Sequence, residues 1–129
     1  MYTIILHLRR KQGTTPEAFR DYYESVHVPL GRKYLGHLFF DYRRNYVMSS
    51  AAVADDGSQM VVERASEYDV ITYIVVKDRA SLDEFWRIAN TPEIATILRE
   101  DEARFLDREA MKIDICEGVK TWTASDVSR

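Results

Sequence analysis

His27 is the residue of this chain best suited to chemistry, because imidazole is the side chain whose ordinary proton exchange lies nearest neutral pH. It sits in the run Tyr22-Tyr23-Glu24-Ser25-Val26-His27-Val28-Pro29-Leu30, four residues after Tyr23 and eight after Phe19. Residues four apart stack along one ridge of a helix, so Phe19, Tyr23 and His27 are expected to lie together beside an apolar stripe. There His27 would act as a general base or acid, a role typically worth ~10²–10⁴ in rate, with the Tyr23 hydroxyl as a nearby donor. The same placement has a structural reading, in which the ring caps the last carbonyls of its helix for ~0.3–1 kcal/mol. Spacing alone leaves both open.

Other polar groups stand in apolar surroundings. His7 alternates with Leu6 and Leu8, and Tyr73 sits in the middle of Asp69–Lys77 (DVITYIVVK). If both point towards the helices they line the same cavity as His27 and bind substrate; if they point the other way they belong to an interface. Arg43 and Asn45 share one side of a strand whose other side carries Tyr42, Arg44 and Tyr46. An arginine fork suits a carboxylate or phenolate, although a solvated or interface charge is the commoner use, and Asp41 fits an exposed strand edge. Phe85 and Trp86 are expected to pack a helix on the sheet, with Trp86 as a cavity wall. The three histidines, His7, His27 and His37, form no HxxxH pair and Cys116 is a lone cysteine, so no metal and no cofactor are expected. Nucleotide-binding GxGxxG and P-loop motifs and the GxSxG nucleophile elbow are absent from the sequence.

The elements that must position these groups are marked by changes of period. Residues Tyr2–Arg9 are β-branched and apolar, a strand by composition. Thr15-Pro16-Glu17 opens a helix, with Thr15 as cap and Pro16 where no donor is needed. Phe19, Tyr22, Tyr23, Val26 and Leu30 mark its apolar stripe, opposite Glu17, Arg20, Asp21 and Glu24. It is expected to end near His27, since the residue before Pro29 is pushed out of the α region. A second strand is expected from Leu38 to about Met48, then an irregular insertion or lid at about 49–66, with a short strand inside it at Met60–Glu63. Asp69–Lys77 is the clearest strand. Ser81-Leu82-Asp83-Glu84 has the form of a capping box, Thr91-Pro92-Glu93 starts a further helix through about Asp107, and Met111–Trp122 returns to strand.

The order β-α-β-β-α-(α)-β is that of a ferredoxin-like α+β sandwich, a four-stranded antiparallel sheet in a single domain over 1–129. One face of such a sheet carries the helices, and a solvated second face would alternate polar residues. Here Ile71, Tyr73 and Val75 are as apolar as Val70, Ile74 and Val76. The expectation is a homodimer whose sheets close face to face.

Charge and composition bound the partners. The 129 residues have a net charge of −3, with both signs interleaved and 46% apolar residues, as in a soluble globular domain. No basic stripe suits nucleic acid. No run has the length of a membrane span or the plan of a signal peptide. The lone Cys116 cannot form an internal disulfide, and the cytoplasm is the expected compartment.

The run Thr15-Pro16-Glu17-Ala18-Phe19-Arg20-Asp21-Tyr22-Tyr23, continued by Val26-His27-Val28-Pro29-Leu30, resembles the first helix of the EthD family, in the dimeric α/β-barrel superfamily. Its pattern is a TPEEF-type opening, a Tyr-Tyr or Tyr-Trp pair and an H-x-P-L ending. Arg43-Arg44-Asn45-Tyr46-Val47 is similar to the family's second strand. The resemblance implies a dimeric barrel, a cavity within each subunit between sheet and helices, and a place for His27 in that cavity. It also implies the chemistry of small cofactor-independent cyclases, isomerases, lyases or decarboxylases acting on small apolar, oxygenated, aromatic or polyketide-like molecules. A non-catalytic carrier of a hydrophobic ligand and a cofactor-free monooxygenase are the alternatives.

Overall fold

The computed structural model describes residues 1–53, 61–121 and 124–127. The strands are β1 (Tyr2–Leu8), β2 (Phe39–Tyr46), β3 (Ser50–Val53), β4 (Val61–Arg64), β5 (Val70–Val76) and β6 (Lys112–Glu117). The helices are α1 (Pro16–Tyr22), α2 (Val28–Leu35), α3 (Arg79–Ala89), α4 (Pro92–Phe105) and α5 (Ala124–Val127). Four strands form one antiparallel sheet in the order β2-β5-β1-β6. This is the expected ferredoxin-like arrangement.

Cross-strand register sorts the side chains. Arg44, Thr72, Leu6 and Ile113 form one row beneath the helices, and Tyr42, Ile74, Ile4 and Ile115 the next. The opposite face carries the rows Arg43-Tyr73-Ile5-Asp114 and Asn45-Ile71-His7-Lys112. Its middle strands contribute Ile5, Ile71 and Tyr73 together with His7, and its edge strands Arg43, Asn45, Lys112 and Asp114. At one end of this face Tyr68 packs on His7 at 5.3 Å, and at its centre Tyr73 is 40% exposed. Helix-side burial makes two clusters, one around Phe19, Tyr23, Val70 and Phe105, the other around Ile4, Leu35, Ile74 and Phe85. Each such side chain contributes ~1.5–3 kcal/mol by leaving water.

The first helix departs from expectation. Thr15 caps it as read, its hydroxyl accepting from the Ala18 N–H at 3.1 Å. It does not stop at His27. Residues Tyr23–His27 form a π-turn, in which the Val28 N–H bonds to the Tyr23 carbonyl, and Val28 stays helical (φ −60°, ψ −50°) into α2. Pro29 would collide with the carbonyl four residues back in a regular α-helix. The wider turn accommodates it at the cost of one extra residue. That extra residue rotates the succeeding turns about the helix axis, so Val28 takes the core position expected of Val26, and Val26 is 42% exposed.

Two smaller readings also change. Helix α3 begins earlier than Ser81, because Asp78 is the cap and accepts from the Ser81 N–H at 2.8 Å. The supposedly irregular 49–66 segment contains a regular antiparallel ladder, Ser50 to Val53 against Val61 to Arg64. The short strand therefore runs Val61–Arg64, and Met60 lies outside the described residues.

Candidate active site

The turn that admits Pro29 also aims His27. Its ring packs on Phe105 at 5.0 Å between centroids and edge-on to Tyr23 at 5.7 Å, and its side chain is 14% exposed. Nδ1 lies 2.8 Å from Oδ2 of Asp101 on α4. Asp101 is almost fully buried, and its other oxygen accepts from the Tyr22 hydroxyl at 2.6 Å and from the partly exposed Arg104 at 3.2 Å. Burial pushes the Asp101 carboxyl up, but the bonds from Tyr22 and His27, the His27 charge and the Arg104 bond together hold it below the ordinary carboxylate range. An ionised carboxylate can only accept, so Nδ1 carries a proton and donates it. In the neutral ring the lone pair is then on Nε2, which has no partner among the described residues. A buried carboxylate that fixes tautomer and ring orientation is the arrangement general-base histidines use.

His27 borders a cavity of about 140 Å³ between the sheet and the helices. The successive turns of the first helical segment supply Tyr23, His27, Gly31 and Leu35; the sheet supplies Leu6, Tyr42 and Ile74; and α3 and α4 supply Phe85, Trp86, Leu98 and Glu102. It lies where the two core clusters meet, with side chains from both in its wall. The volume suits roughly one aromatic ring. Gly31 faces open space, with nothing within 4 Å of where a Cβ would stand. Larger clefts at the surface are shallow and lined by Arg9, Arg10, Lys11 and Glu67, or by Glu17, Arg20 and Arg44, without His27.

The other hydroxyls of the wall are engaged with one another. Tyr23 is 1% exposed, with its oxygen 2.8 Å from the Thr72 hydroxyl. Burial pushes the Tyr23 phenol well above its ordinary value, and burial likewise raises Tyr42 against the opposing influence of the Tyr23 hydrogen bond and the Arg44 charge. Both therefore remain neutral donors rather than anions. Arg44 stacks 4.6 Å over the Tyr42 ring and forks onto Glu24 at 3.0 and 2.7 Å, and Tyr46 donates to the same carboxylate at 2.6 Å.

The structure places the sequence candidates in two groups. His27, Tyr23 and Trp86 meet at the cavity, with Phe19 behind Tyr23 in the core, not in the wall. His7, Tyr73 and Arg43 lie on the opposite face of the sheet, away from the cavity. There His7 Nε2 is 2.9 Å from Asp114, and Arg43 pairs with Asp41 at 2.8 Å. As substrate-binding candidates for this cavity these residues are corrected by strand parity: Tyr73 is one residue from Thr72, and Arg43 one from Arg44. The described residues of 49–66 do not line the cavity either. Sequence reading missed Asp101, Tyr22, Tyr42 and Glu102. A signal for two of them existed, since Leu98, Asp101, Glu102 and Phe105 recur at helical spacing and put both carboxylates on the apolar face of α4. Among the described residues no group of histidine, cysteine and carboxylate side chains is arranged to hold a metal ion.

The fold and site define a ferredoxin-like α+β domain with a cavity between sheet and helices. The EthD domain family model matches residues 11–109, and the chain belongs to that family. Among solved structures it is similar to an EthD-family protein from Bacillus halodurans, at 19% identity over 92% of this chain and 100% of that one, TM-score 0.58. It is also similar to HapK from Hahella chejuensis, at 16% identity over 96% of this chain and 98% of that one, TM-score 0.60. A Dabb-family protein with a ferredoxin-like fold from Mesorhizobium loti is 8% identical over 92% and 97%, TM-score 0.52. At such identities the likeness is one of fold. No curated protein matches the chain. Among the described residues no helix is long and apolar enough to cross a membrane.

Proposed function

We propose that the protein is a cofactor-independent enzyme that moves a proton on a small, apolar, oxygenated molecule, with His27 as general base. The supporting observation is the Tyr22–Asp101–His27 relay, which holds the ring through Nδ1 and leaves Nε2 without a partner among the described residues, on a ring that lines the cavity. Nε2 takes a proton from carbon next to a carbonyl, or from a phenol, and the electron pair left behind is delocalised onto the substrate oxygen. Asp101 stabilises the imidazolium that forms. The cavity is largely apolar, and in such a site any bond to the developing oxyanion is stronger than in water. Isomerisation, cyclisation or C–C cleavage would each begin from that anion. The volume favours single-ring compounds over extended polyketides.

The reading is tested by a thermal-shift screen for stabilising small aromatics, and then by His27→Ala on any turnover found. Loss of turnover with nearly unchanged affinity supports the base. Equal loss of both, or of neither, favours a carrier.

The sheet face opposite the helices also supports a pairing of two copies. Ile5, Ile71, Tyr73 and Val75 form its apolar centre, and Asp41, Arg43, Lys112 and Asp114 its charged rim, the anatomy of a protein interface. A homodimer with sheets face to face buries that centre and leaves each cavity on the outside of the barrel. Sedimentation at micromolar concentration tests it, and a stable monomer would rule it out.

A further inference from the structure

We propose that Gly31 is the specificity-determining residue of this cavity: the side chain it lacks leaves a seat for an aromatic ring bonded to the substrate's carbonyl carbon, one helical turn from His27. This rests on the proton-transfer reading, for which it names aryl ketones as the substrate class, but it is read in binding.

Gly31 is inside α2, and a glycine in a helix interior weakens the helix because it gives up the most backbone freedom on folding. Two features of a chain commonly require such a glycine, and neither is present. Its φ is not positive, since Gly13 is the one described glycine in that region. No other part of the chain comes close, since nothing lies within 4 Å of a Cβ built at Gly31. By contrast, a Cβ at Gly36 would meet the Arg32 side chain at 3.4 Å, and one at Gly118 the Met1 carbonyl oxygen at 3.3 Å. Gly31 is half-buried and lines the cavity together with His27 and Leu35, one turn before and one turn after it on the same helix face. A side chain at this position would therefore enter the cavity. What the glycine supplies is room for a ligand.

The cavity has two unlike ends. At His27 the wall is polar, with the Asp101 carboxylate behind the ring and Glu102 in the wall itself. At Leu35 it is aromatic: Leu35 and Phe85 share a buried cluster against which Phe39, Tyr42 and Trp86 pack. The four rings touch in succession, Tyr42 to Phe39 at 5.0 Å, Phe39 to Phe85 at 6.4 Å and Phe85 to Trp86 at 5.0 Å between centroids, and all four line the cavity. Gly31 stands between the ends. Successive positions of the ridge are about 6 Å apart along the helix axis. A reacting methyl carbon held at His27 thus puts a ring on the far side of its carbonyl beside Gly31, towards the aromatic wall, where ring pairs gain more than their buried area. An aliphatic ketone presents the same reacting carbon and leaves the seat unfilled.

The probes are acetophenone and methyl isopropyl ketone, two neutral ketones that share the reacting methyl group and differ in the ring, with affinities read by NMR titration. Wild type is expected to bind acetophenone about tenfold or more tightly than the aliphatic ketone. Gly31→Val puts an isopropyl group into the seat. It should weaken acetophenone about tenfold or more and methyl isopropyl ketone by about threefold at most, so that the preference for the ring collapses, with Gly31→Ala falling between. Alanine and valine are both better helix formers than glycine, and melting checks that each variant is folded. If Gly31→Val fails to fold, the ratio in Gly31→Ala decides. A wild type without ring preference, binding of neither ketone, acetophenone affinity unchanged by the substitutions, or an equal loss of both ketones would each overturn the proposal. Exchange of the methyl protons is a separate readout: a changed ring preference without exchange sinks the proton-transfer reading alone, and exchange with an unchanged ring preference sinks this one alone.

Discussion

Replacing Asp101 by asparagine should convert the relay from one that presents a lone pair to the cavity into one that presents a proton. The carboxylate now accepts from Tyr22 at 2.6 Å, from His27 at 2.8 Å and from Arg104 at 3.2 Å. Hydrogen bonds to a buried charged group are worth about 1.5–3 kcal/mol each. The Arg104 bond is long and its guanidinium 60% exposed, so it adds well under that. An amide turns one acceptor oxygen into a donor, which must face either the Tyr22 hydroxyl or the His27 ring. The lower-energy answer is for the ring to accept at Nδ1 and carry its proton on Nε2. The expected cost is roughly 2–3 kcal/mol, or a fall in melting temperature of about 10 °C for a domain of this size. Two measurements check it. Nitrogen NMR of the His27 ring should report the Nδ1–H tautomer in wild type and Nε2–H in the variant. Thermal unfolding across acid pH should separate the two proteins in a defined direction. Because the Asp101 carboxyl is held below its unfolded value, its stabilisation is fully present above that value and drains away as pH falls through the folded one. Wild type should lose stability there by more than the variant. An unchanged tautomer together with a loss under about 0.5 kcal/mol would refute the relay.

Gly31→Ala should raise stability by about 0.5–1 kcal/mol, since Gly31 is inside α2 with room for a Cβ, whereas Gly31→Leu should fill the cavity and abolish acetophenone binding without unfolding the protein, both read by melting and NMR titration. Tyr23→Phe leaves the Thr72 hydroxyl unpaired in the core and should cost about 1–3 kcal/mol in denaturant unfolding. If two copies pair through the sheet as proposed, Tyr73→Asp, at the centre of that face, should leave the cavity intact and shift sedimentation towards monomer.

How much could be read from residues alone varies along the chain. Elements with strong local signals were legible: Thr15 and Pro16 fix the start of α1, and Val70–Val76 forms the strand its composition demands. The stripe through Phe19 and Tyr23 pointed His27 at the interior correctly, because the 3.6-residue period holds that far. Beyond it, local propensity was overridden. Pro29 reads as a stop, yet a π-turn carries the helix through it, and packing by Val28 and Leu35 maintains the continuation. Strand faces were legible as pairs, with Arg43 opposite in parity to Arg44, but which parity faces the helices is a tertiary fact. Asp101 was obscured by Arg99-Glu100-Asp101-Glu102, a charge run that looks solvated until its register with Leu98 and Phe105 is counted. Its pairing with His27 spans 74 positions and has no local signature.

The most direct measurement tracks the methyl protons of acetophenone by NMR in heavy water, with wild type and His27→Ala at concentrations that bind the ketone equally. With His27 as base, wild type accelerates exchange for deuterium, and the variant loses on the order of 10²-fold or more of that acceleration at unchanged affinity. Equal exchange in the two proteins, or none above the buffer rate with the ketone bound, would contradict it.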